Sequence, residues 1–134
     1  MLNNLAGLYR LMKRYDASAE QFRKTLEIYR AALGEQHFLY ISGMNNLGLL
    51  YQDMGRYAEA EELHSRSLAL LEQAGDNPIA IATTLTNLAS ARRQQNRLDG
   101  VVSLLERALR MYETYLGREH SLYAYGLNNL ASYY

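Results

Sequence analysis

The amino-acid sequence predicts an all-α solenoid of antiparallel helix hairpins, about three and a half repeats and seven helices long. Two observations lead to this fold class: landmark residues return every 41 or 42 positions, and the apolar residues between the landmarks follow a helical period. The alternation of apolar and polar residues that indicates a β-strand is absent. A fixed period in this range is typical of arrays in which each unit covers an apolar face that its neighbour cannot bury alone.

The repeat is clearest at one asparagine position. Successive copies are 42, 41 and 42 residues apart and stand at Asn3, Asn45, Thr86 and Asn128. The second boundary of each unit keeps a matching spacing, with LGEQH at 33–37, AGDNP at 74–78 and LGREH at 116–120. Because asparagine is a poor residue for the interior of a helix, its return at one position indicates a role that offsets its low propensity.

The individual helices follow from apolar spacing and from glycines that can end them. Leu105, Leu109 and Tyr112, at offsets of four and three residues, are typical of one buried helix face. Glycines that tolerate a left-handed cap stand where helices should end, at Gly34, Gly55, Gly75 and Gly117. The predicted helices are, in order, 2–12, 16–33, 38–54, 58–74, 78–95, 99–116 and 121–134.

Composition excludes several classes of function. Lys plus Arg and Asp plus Glu both number 14, so the chain lacks the excess of cations that nucleic acids and anionic membranes attract. The absence of Cys excludes disulfides, thiolate metal sites and a cysteine nucleophile, and favours a reducing compartment, so we expect a cytoplasmic location. No apolar run of 18 residues could span a membrane. We therefore expect no nucleic-acid partner and no membrane partner.

The motifs of the second unit carry a family resemblance. The pattern N-L-[AG]-x-x-Y, followed by G-R-Y-x-E-A-E-x-L, resembles the tetratricopeptide repeat, and the 42-residue period with LNNLA and LGxxH resembles its kinesin-light-chain type. The signature positions matched in this unit are Leu47, Gly48, Tyr51, Gly55, Tyr57 and Ala60. The third unit departs from the pattern, since Arg92 replaces the tyrosine and Asn96 replaces the glycine. The resemblance implies a right-handed superhelix in which the first, or A, helix of each hairpin lines a concave groove.

The whole chain, 1–134, is predicted to form a single array. The repeat units are about 1–36, 37–77 and 78–119, with a partial unit at 120–134. Because the chain begins and stops within a predicted A helix, we expect a fragment of a longer protein. Apolar ends exposed in such a fragment favour homo-oligomer formation.

No set of residues predicts catalysis. Catalysis needs a nucleophile, a base or a metal converging on one spot, but His37 and His120 occupy the same boundary position in two units, so the repeat explains both. His64 stands where the family has a packed aromatic residue. Glycine-rich phosphate loops and Gly-x-Ser-x-Gly turns are absent. We expect no enzyme activity, no catalytic residue, no metal site and no cofactor.

The predicted A helices suggest where a ligand would bind. Residues 38–52, 78–91 and 121–134 contain no charged side chain. On the family's positions, the groove would be lined by Asn3, Asn4, Arg10, Ser42, Asn45, Asn46, Leu49, Gln52, Thr83, Thr86, Asn87, Ser90, Arg93, Tyr125, Asn128 and Asn129. Asparagine both donates and accepts hydrogen bonds, which suits the backbone of an extended peptide. The alternative is that these asparagines hydrogen-bond neighbouring helices and hold repeat to repeat.

These observations predict a protein-interaction scaffold that binds an extended peptide or partner segment in the concave groove. Family members that bind terminal carboxylates hold them with lysine at the position occupied here by Asn45 and Thr86, so such a clamp is not expected. Two other classes of function remain open. The chain could be a structural spacer or self-association module, or it could be the sensor domain of a larger signalling or transcription-regulatory protein.

Overall fold

The computed structural model describes residues 14–75 and 77–132, and these residues form six α-helices. The helices are α1 Tyr15–Leu33, α2 Phe38–Asp53, α3 Tyr57–Ala74, α4 Pro78–Gln94, α5 Val101–Leu116 and α6 Ser121–Ala131. No strand occurs within the described ranges. The all-α solenoid class predicted from the sequence is therefore confirmed. The predicted helix at 2–12 lies outside the described residues.

Side chains at the unit boundaries fix where α2, α4 and α6 begin. The Nδ1 atoms of His37 and His120 each accept a hydrogen bond of 3.1 Å from the backbone N–H two residues on. Asn77 does the same for α4, accepting from the N–H of Ala80 at 3.2 Å. Such bonds satisfy donors that the first turn of a helix leaves without intrahelical partners. The boundary role predicted for the two histidines is thus N-capping.

Residues with positive φ separate the helices. Gly34, Gly55, Gly75 and Gly117 have φ between 70° and 90°, as their predicted positions at helix ends require. Asn96 takes the same place after α4, with φ 59°, because asparagine tolerates the left-handed region better than most residues.

The start of α5 differs most from its prediction. Helix α5 begins at Val101, two residues after the predicted start near 99. Its N-cap residue, Gly100, has φ 72°, which lies outside the right-handed helical region. The backbone therefore turns at Gly100 and enters the helix one residue later.

Each helix packs against the helices next to it in sequence, and α2 also contacts α4. Short connections make neighbouring helices antiparallel. Three clusters of buried apolar side chains follow one another along the array, and each combines residues of several helices. Leu47, Leu85 and Leu105 represent these clusters. Helices α2, α4 and α6, the A helices of the hairpins, thereby lie side by side.

Candidate functional site

The face formed by the A helices is nearly free of charge. Helix α2 has no charged residue before Asp53, α4 has none before Arg92, and α6 has none. Helices α1, α3 and α5 carry most of the charged side chains. Two cavities open between neighbouring A helices, and this face is therefore the candidate binding groove.

The larger groove cavity, of about 340 Å³, lies between α2 and α4. Six residues that the sequence predicts for the groove line it: Ser42, Asn45, Asn46, Leu49, Thr83 and Asn87. Six further lining residues lie outside the predicted set: Phe38, Ile41, Leu71, Asn77, Ile79 and Ala80. Phe38 is the first residue of α2, and Asn77, Ile79 and Ala80 lie at the start of α4. An apolar residue directly after an N-cap residue is therefore the sequence signal that could have identified Phe38. The cavity combines an apolar floor with amide and hydroxyl groups on its walls.

The smaller groove cavity, of about 60 Å³, lies on the other side of α4, towards α6. Five predicted groove residues line it together with Ala89 and Leu105: Thr86, Ser90, Arg93, Tyr125 and Asn129. Arg93 gives this cavity the one charged group among its lining residues. The groove is thus uncharged between α2 and α4 and cationic between α4 and α6.

The remaining predicted groove residues lie elsewhere. Gln52 is buried, and Asn128 is exposed on α6; neither lines a groove cavity. Asn3, Asn4 and Arg10 lie outside the described residues.

Two of the predicted groove amides serve a buried polar network centred on His64. The ring nitrogens of His64 lie 2.9 Å from the side-chain amide oxygens of Asn45 and Gln52. The amide nitrogen of Asn45 donates to the hydroxyl of Thr84 at 2.8 Å, and that of Gln52 donates to Gln94 at 2.6 Å. The amides of Asn45 and Gln52 thus join α2 to α3 and α4.

His64 is fully buried, as predicted for a residue that takes the place of a packed aromatic. A Cβ atom added to Gly48 would lie 2.6 Å from its Cε1 atom, so the ring occupies the space that this glycine leaves open on α2. Burial lowers the pKa of His64 to about 4, because a charged imidazole in this site would lose its hydration. The ring is therefore neutral at pH 7. Amides that face a neutral ring can turn to present nitrogen or oxygen, as the position of the ring proton requires.

Asn46 and Asn87 differ from Asn45 in having amides without a partner among the described residues. Both side chains are partly buried in the wall of the larger groove cavity. No hydrogen bond joins either amide to residues 14–75 or 77–132. These two amides can therefore form hydrogen bonds with a molecule in the cavity.

Arg92 stands where the repeat pattern has a tyrosine. Its Nε atom donates to the Glu61 carboxylate on α3 at 3.0 Å, and Gln95 and Arg97 donate to the same carboxylate. Burial would raise the pKa of Glu61, but the hydrogen bonds from Gln95 and Arg92 and the charge of Arg97 outweigh burial and lower it. Arg92 therefore joins α4 to α3 and points away from the groove cavities.

Among residues 14–75 and 77–132, no three His, Asp or Glu side chains are placed to hold a metal ion. None of the described helices is long and apolar enough to cross a membrane.

Comparison with known proteins identifies the family. A model of the tetratricopeptide repeat family matches residues 1–73 and 40–114, which together include 114 of the 134 residues. The chain belongs to the tetratricopeptide repeat family. Its repeats are of the kinesin-light-chain-like type, since 111 of its residues are 26% identical to Protein KINESIN LIGHT CHAIN-RELATED 3 of Arabidopsis thaliana. That match includes 81% of this chain and 17% of the relative, so the chain spans about a fifth of the length of the curated relatives it matches.

Two solved structures have the same fold. One is a kinesin light chain protein of Podosopora anserina whose TPR-like repeats are nearly identical to one another. It superposes on this chain with a TM-score of 0.88 and 21% sequence identity, and the match covers 98% of this chain and 63% of that protein. SycD, the type III secretion translocator chaperone of Yersinia enterocolitica, superposes with a TM-score of 0.72 and 18% identity, covering 98% of this chain and 86% of its own. At these identities the likeness concerns the fold alone.

Proposed function

We propose that this chain is a protein-interaction scaffold that binds an extended segment of a partner protein across α2 and α4. The observation that carries the proposal is the placement of Asn46 and Asn87. Their amides have no hydrogen-bond partner among the described residues, and both line a cavity with an apolar floor. Polar groups in such a wall offer hydrogen bonds, and the floor offers apolar contact, as in most ligand sites.

The two amides suit a peptide backbone. Each presents a donor and an acceptor, as does each residue of a peptide other than proline. Packed helices are about 8–10 Å apart, and alternate residues of an extended chain are about 7 Å apart. An extended segment lying across α2 and α4 could therefore meet both amides within two or three residues.

Charge limits the side chains that such a segment would carry. No lining residue of the larger groove cavity is charged, so a buried carboxylate or ammonium group would lose hydration there without a counter-charge. The segment bound between α2 and α4 would therefore be uncharged, and internal to its protein rather than a terminal carboxylate.

The comparisons support the class of function without fixing the partner. A tetratricopeptide repeat model matches most of the chain, and the plant relatives are named for kinesin light chain. Both are consistent with a protein-interaction scaffold, and binding of a partner segment is what the groove offers.

A selection from a random peptide library, followed by affinity measurement, tests the proposal. Asn46→Ala and Asn87→Ala should each weaken binding of a selected peptide about three- to tenfold, because each removes hydrogen bonds worth about 0.5–1.5 kcal/mol. The matched control is Gln21→Ala, which removes a partly buried amide on α1 that lines neither groove cavity. Equal affinities for all three variants would contradict the proposal. Light scattering of the unliganded chain would reveal a dimer that occupies the groove instead.

A further inference from the structure

The groove has an apolar exit beside the turn between α3 and α4. A third cavity, the edge cavity, of about 240 Å³, is lined there by Gln36, Phe38, Ile41, Leu71, Ala74 and Asn77. Four of these residues also line the larger groove cavity: Phe38, Ile41, Leu71 and Asn77. The two cavities therefore adjoin, and a ligand in one can continue into the other.

Phe38 is the accessible apolar surface where the two cavities meet. Ile41 and Leu71 are buried beneath it, with 2% and 3% of their surface exposed, whereas Phe38 is 52% exposed. Asn77, the fourth shared residue, already accepts a hydrogen bond as the N-cap of α4. The ring of Phe38 thus offers apolar area that no described residue of the array covers.

The backbone holds Phe38 in place. It is the first residue of α2, and its neighbour His37 caps that helix by accepting the N–H of Leu39 at 3.1 Å. The direction of the Cα–Cβ bond of Phe38 is therefore fixed by the helix, and only side-chain rotation remains. Such a ring can serve as a contact surface with little loss of conformational entropy.

The chemistry of both linings selects apolar occupants. No described residue that lines the larger groove cavity or the edge cavity is charged. Each cavity has room for an aliphatic side chain, and both share the apolar floor of Ile41 and Leu71. A segment that enters both cavities would therefore gain from an apolar side chain at each.

We propose that the partner segment carries two apolar side chains at positions i and i+2, which enter the two adjoining cavities beside Phe38. The proposal rests on the peptide-binding function proposed above and names the ligand's side-chain pattern. The two cavities adjoin and share four lining residues, so side chains that enter both must lie on the same side of the segment. In an extended chain, side chains i and i+2 lie on the same side about 7 Å apart. Spacings of i+1 or i+4 do not match this distance.

Synthetic peptides test the spacing. The probes are fluorescein-labelled ten-residue peptides of Ser, Gly and Asn, acetylated and amidated at their ends, with one leucine or with two leucines separated by one to four positions. Fluorescence anisotropy should show that the i, i+2 peptide binds about tenfold or more tightly than the single-leucine peptide, as burial of a second leucine predicts. The other spacings should gain less than threefold.

Variants of the chain locate the contact. Phe38→Ala should remove the advantage of the second leucine, whereas Phe38→Leu should keep part of it. The matched control is Tyr115→Ala, which removes another exposed aromatic side chain, 59% exposed on α5, that lines none of the three cavities. Circular dichroism confirms that each variant is folded.

The outcomes separate this proposal from the peptide-binding function. If peptides bind and Asn46→Ala weakens them, but spacing and Phe38→Ala have no effect, the two-side-chain pattern is wrong and the groove function stands. If neither the leucine peptides nor a random library yields a ligand sensitive to Asn46→Ala and Asn87→Ala, both proposals are wrong.

Discussion

Neighbouring residues of one motif have different tasks in this chain. Asn45 and Asn46 follow each other in the sequence, yet the amide of Asn45 is bonded to His64 and Thr84 while that of Asn46 lines the cavity without a partner among the described residues. Successive residues of a helix point in directions about 100° apart. In the second unit, the asparagine pair therefore serves packing with its first member and is available to a ligand with its second.

Gly48 gives a prediction at the scale of one residue. In an exposed helix interior, replacing glycine by alanine stabilises a protein by about 1 kcal/mol. We expect the opposite for Gly48→Ala, a loss of about 2–3 kcal/mol in the free energy of unfolding, because the new methyl group would lie 2.6 Å from the buried ring of His64. Urea denaturation measures the change.

The control is the same substitution made in a variant that lacks the His64 ring. In a His64→Ala protein the ring is gone, so adding Gly48→Ala should be neutral or stabilising. Gly43→Ala should also cost less than Gly48→Ala, since its methyl group would meet the end of the Leu26 side chain, which can move. An equal loss for Gly48→Ala with and without His64 would show that the ring is not the cause.

At the scale of helices, α2 and α4 are each joined to the preceding helix by a polar contact from the same repeat position, but the chemistry of the two contacts differs. Tyr51 on α2 accepts a hydrogen bond of 2.8 Å from Arg23 on α1, and Arg56 lies 4.5 Å from the centre of its ring. At the corresponding position of α4, Arg92 instead donates to Glu61 on α3. In α2 the repeat position holds a tyrosine that accepts from an arginine of the preceding helix. In α4 it holds an arginine that donates to a carboxylate of the preceding helix, so a polar bond between the two helices is kept.

Glu61 gives the prediction at this scale. Glu61→Gln should lower the free energy of unfolding by about 1–2 kcal/mol, because the side chain is mostly buried and receives hydrogen bonds from Arg92, Gln95 and Arg97. Part of this effect is screened by solvent, since Arg97 is more than half exposed. Glu62→Gln, at the exposed neighbouring position, is the control and should change stability by less than about 0.5 kcal/mol. Equal effects would mean that the Glu61 contacts contribute nothing specific.

Helix positions could be predicted because their signals are local. Glycine at a positive φ, an N-cap side chain and apolar spacing all act within one or two turns, and the predicted helices at 38–54 and 58–74 differ by one residue from α2 and α3. Local signals could not show which groove residues bond to neighbouring helices and which are available to a ligand. Whether an asparagine contacts a ligand depends on His64, 19 residues from Asn45, and on Thr84, 39 residues away. Sequence spacing places such residues on a face but does not assign their hydrogen bonds.

At the scale of the whole molecule, the histidines have two kinds of environment. His37 and His120 accept N–H bonds at exposed helix starts through Nδ1, whereas His64 lies in the interior. The groups that face His64 are uncharged: amides of α2 and, through them, Thr84, Ser90 and Gln94 of α4. The nearby charges are engaged or exposed, since Glu61 is bound to Arg92 and Glu62 faces solvent. No described group that faces His64 therefore carries a negative charge that could offset a charge on its ring.

The fold should consequently lose stability in mild acid. The pKa of His64 is lowered by burial from 6.5 to about 4, so between these values the unfolded chain binds a proton that the folded chain does not. Stability from this residue is complete above about pH 6.5 and is lost as the pH falls towards 4. Between pH 7 and pH 5 the loss should be about 2 kcal/mol.

Denaturation with urea at pH 7, 6 and 5 measures this loss, and this range avoids the titration of Glu61, whose pKa is lowered from an ordinary value of 4.5. His64→Gln removes the titrating group, so its free energy of unfolding should vary with pH by about 2 kcal/mol less than that of the natural chain. The control is His37→Asn, which replaces one N-cap residue by another and should leave most of the pH dependence in place. If His64→Gln kept the full dependence and His37→Asn removed it, acid would act on the helix starts and not on the interior of the array.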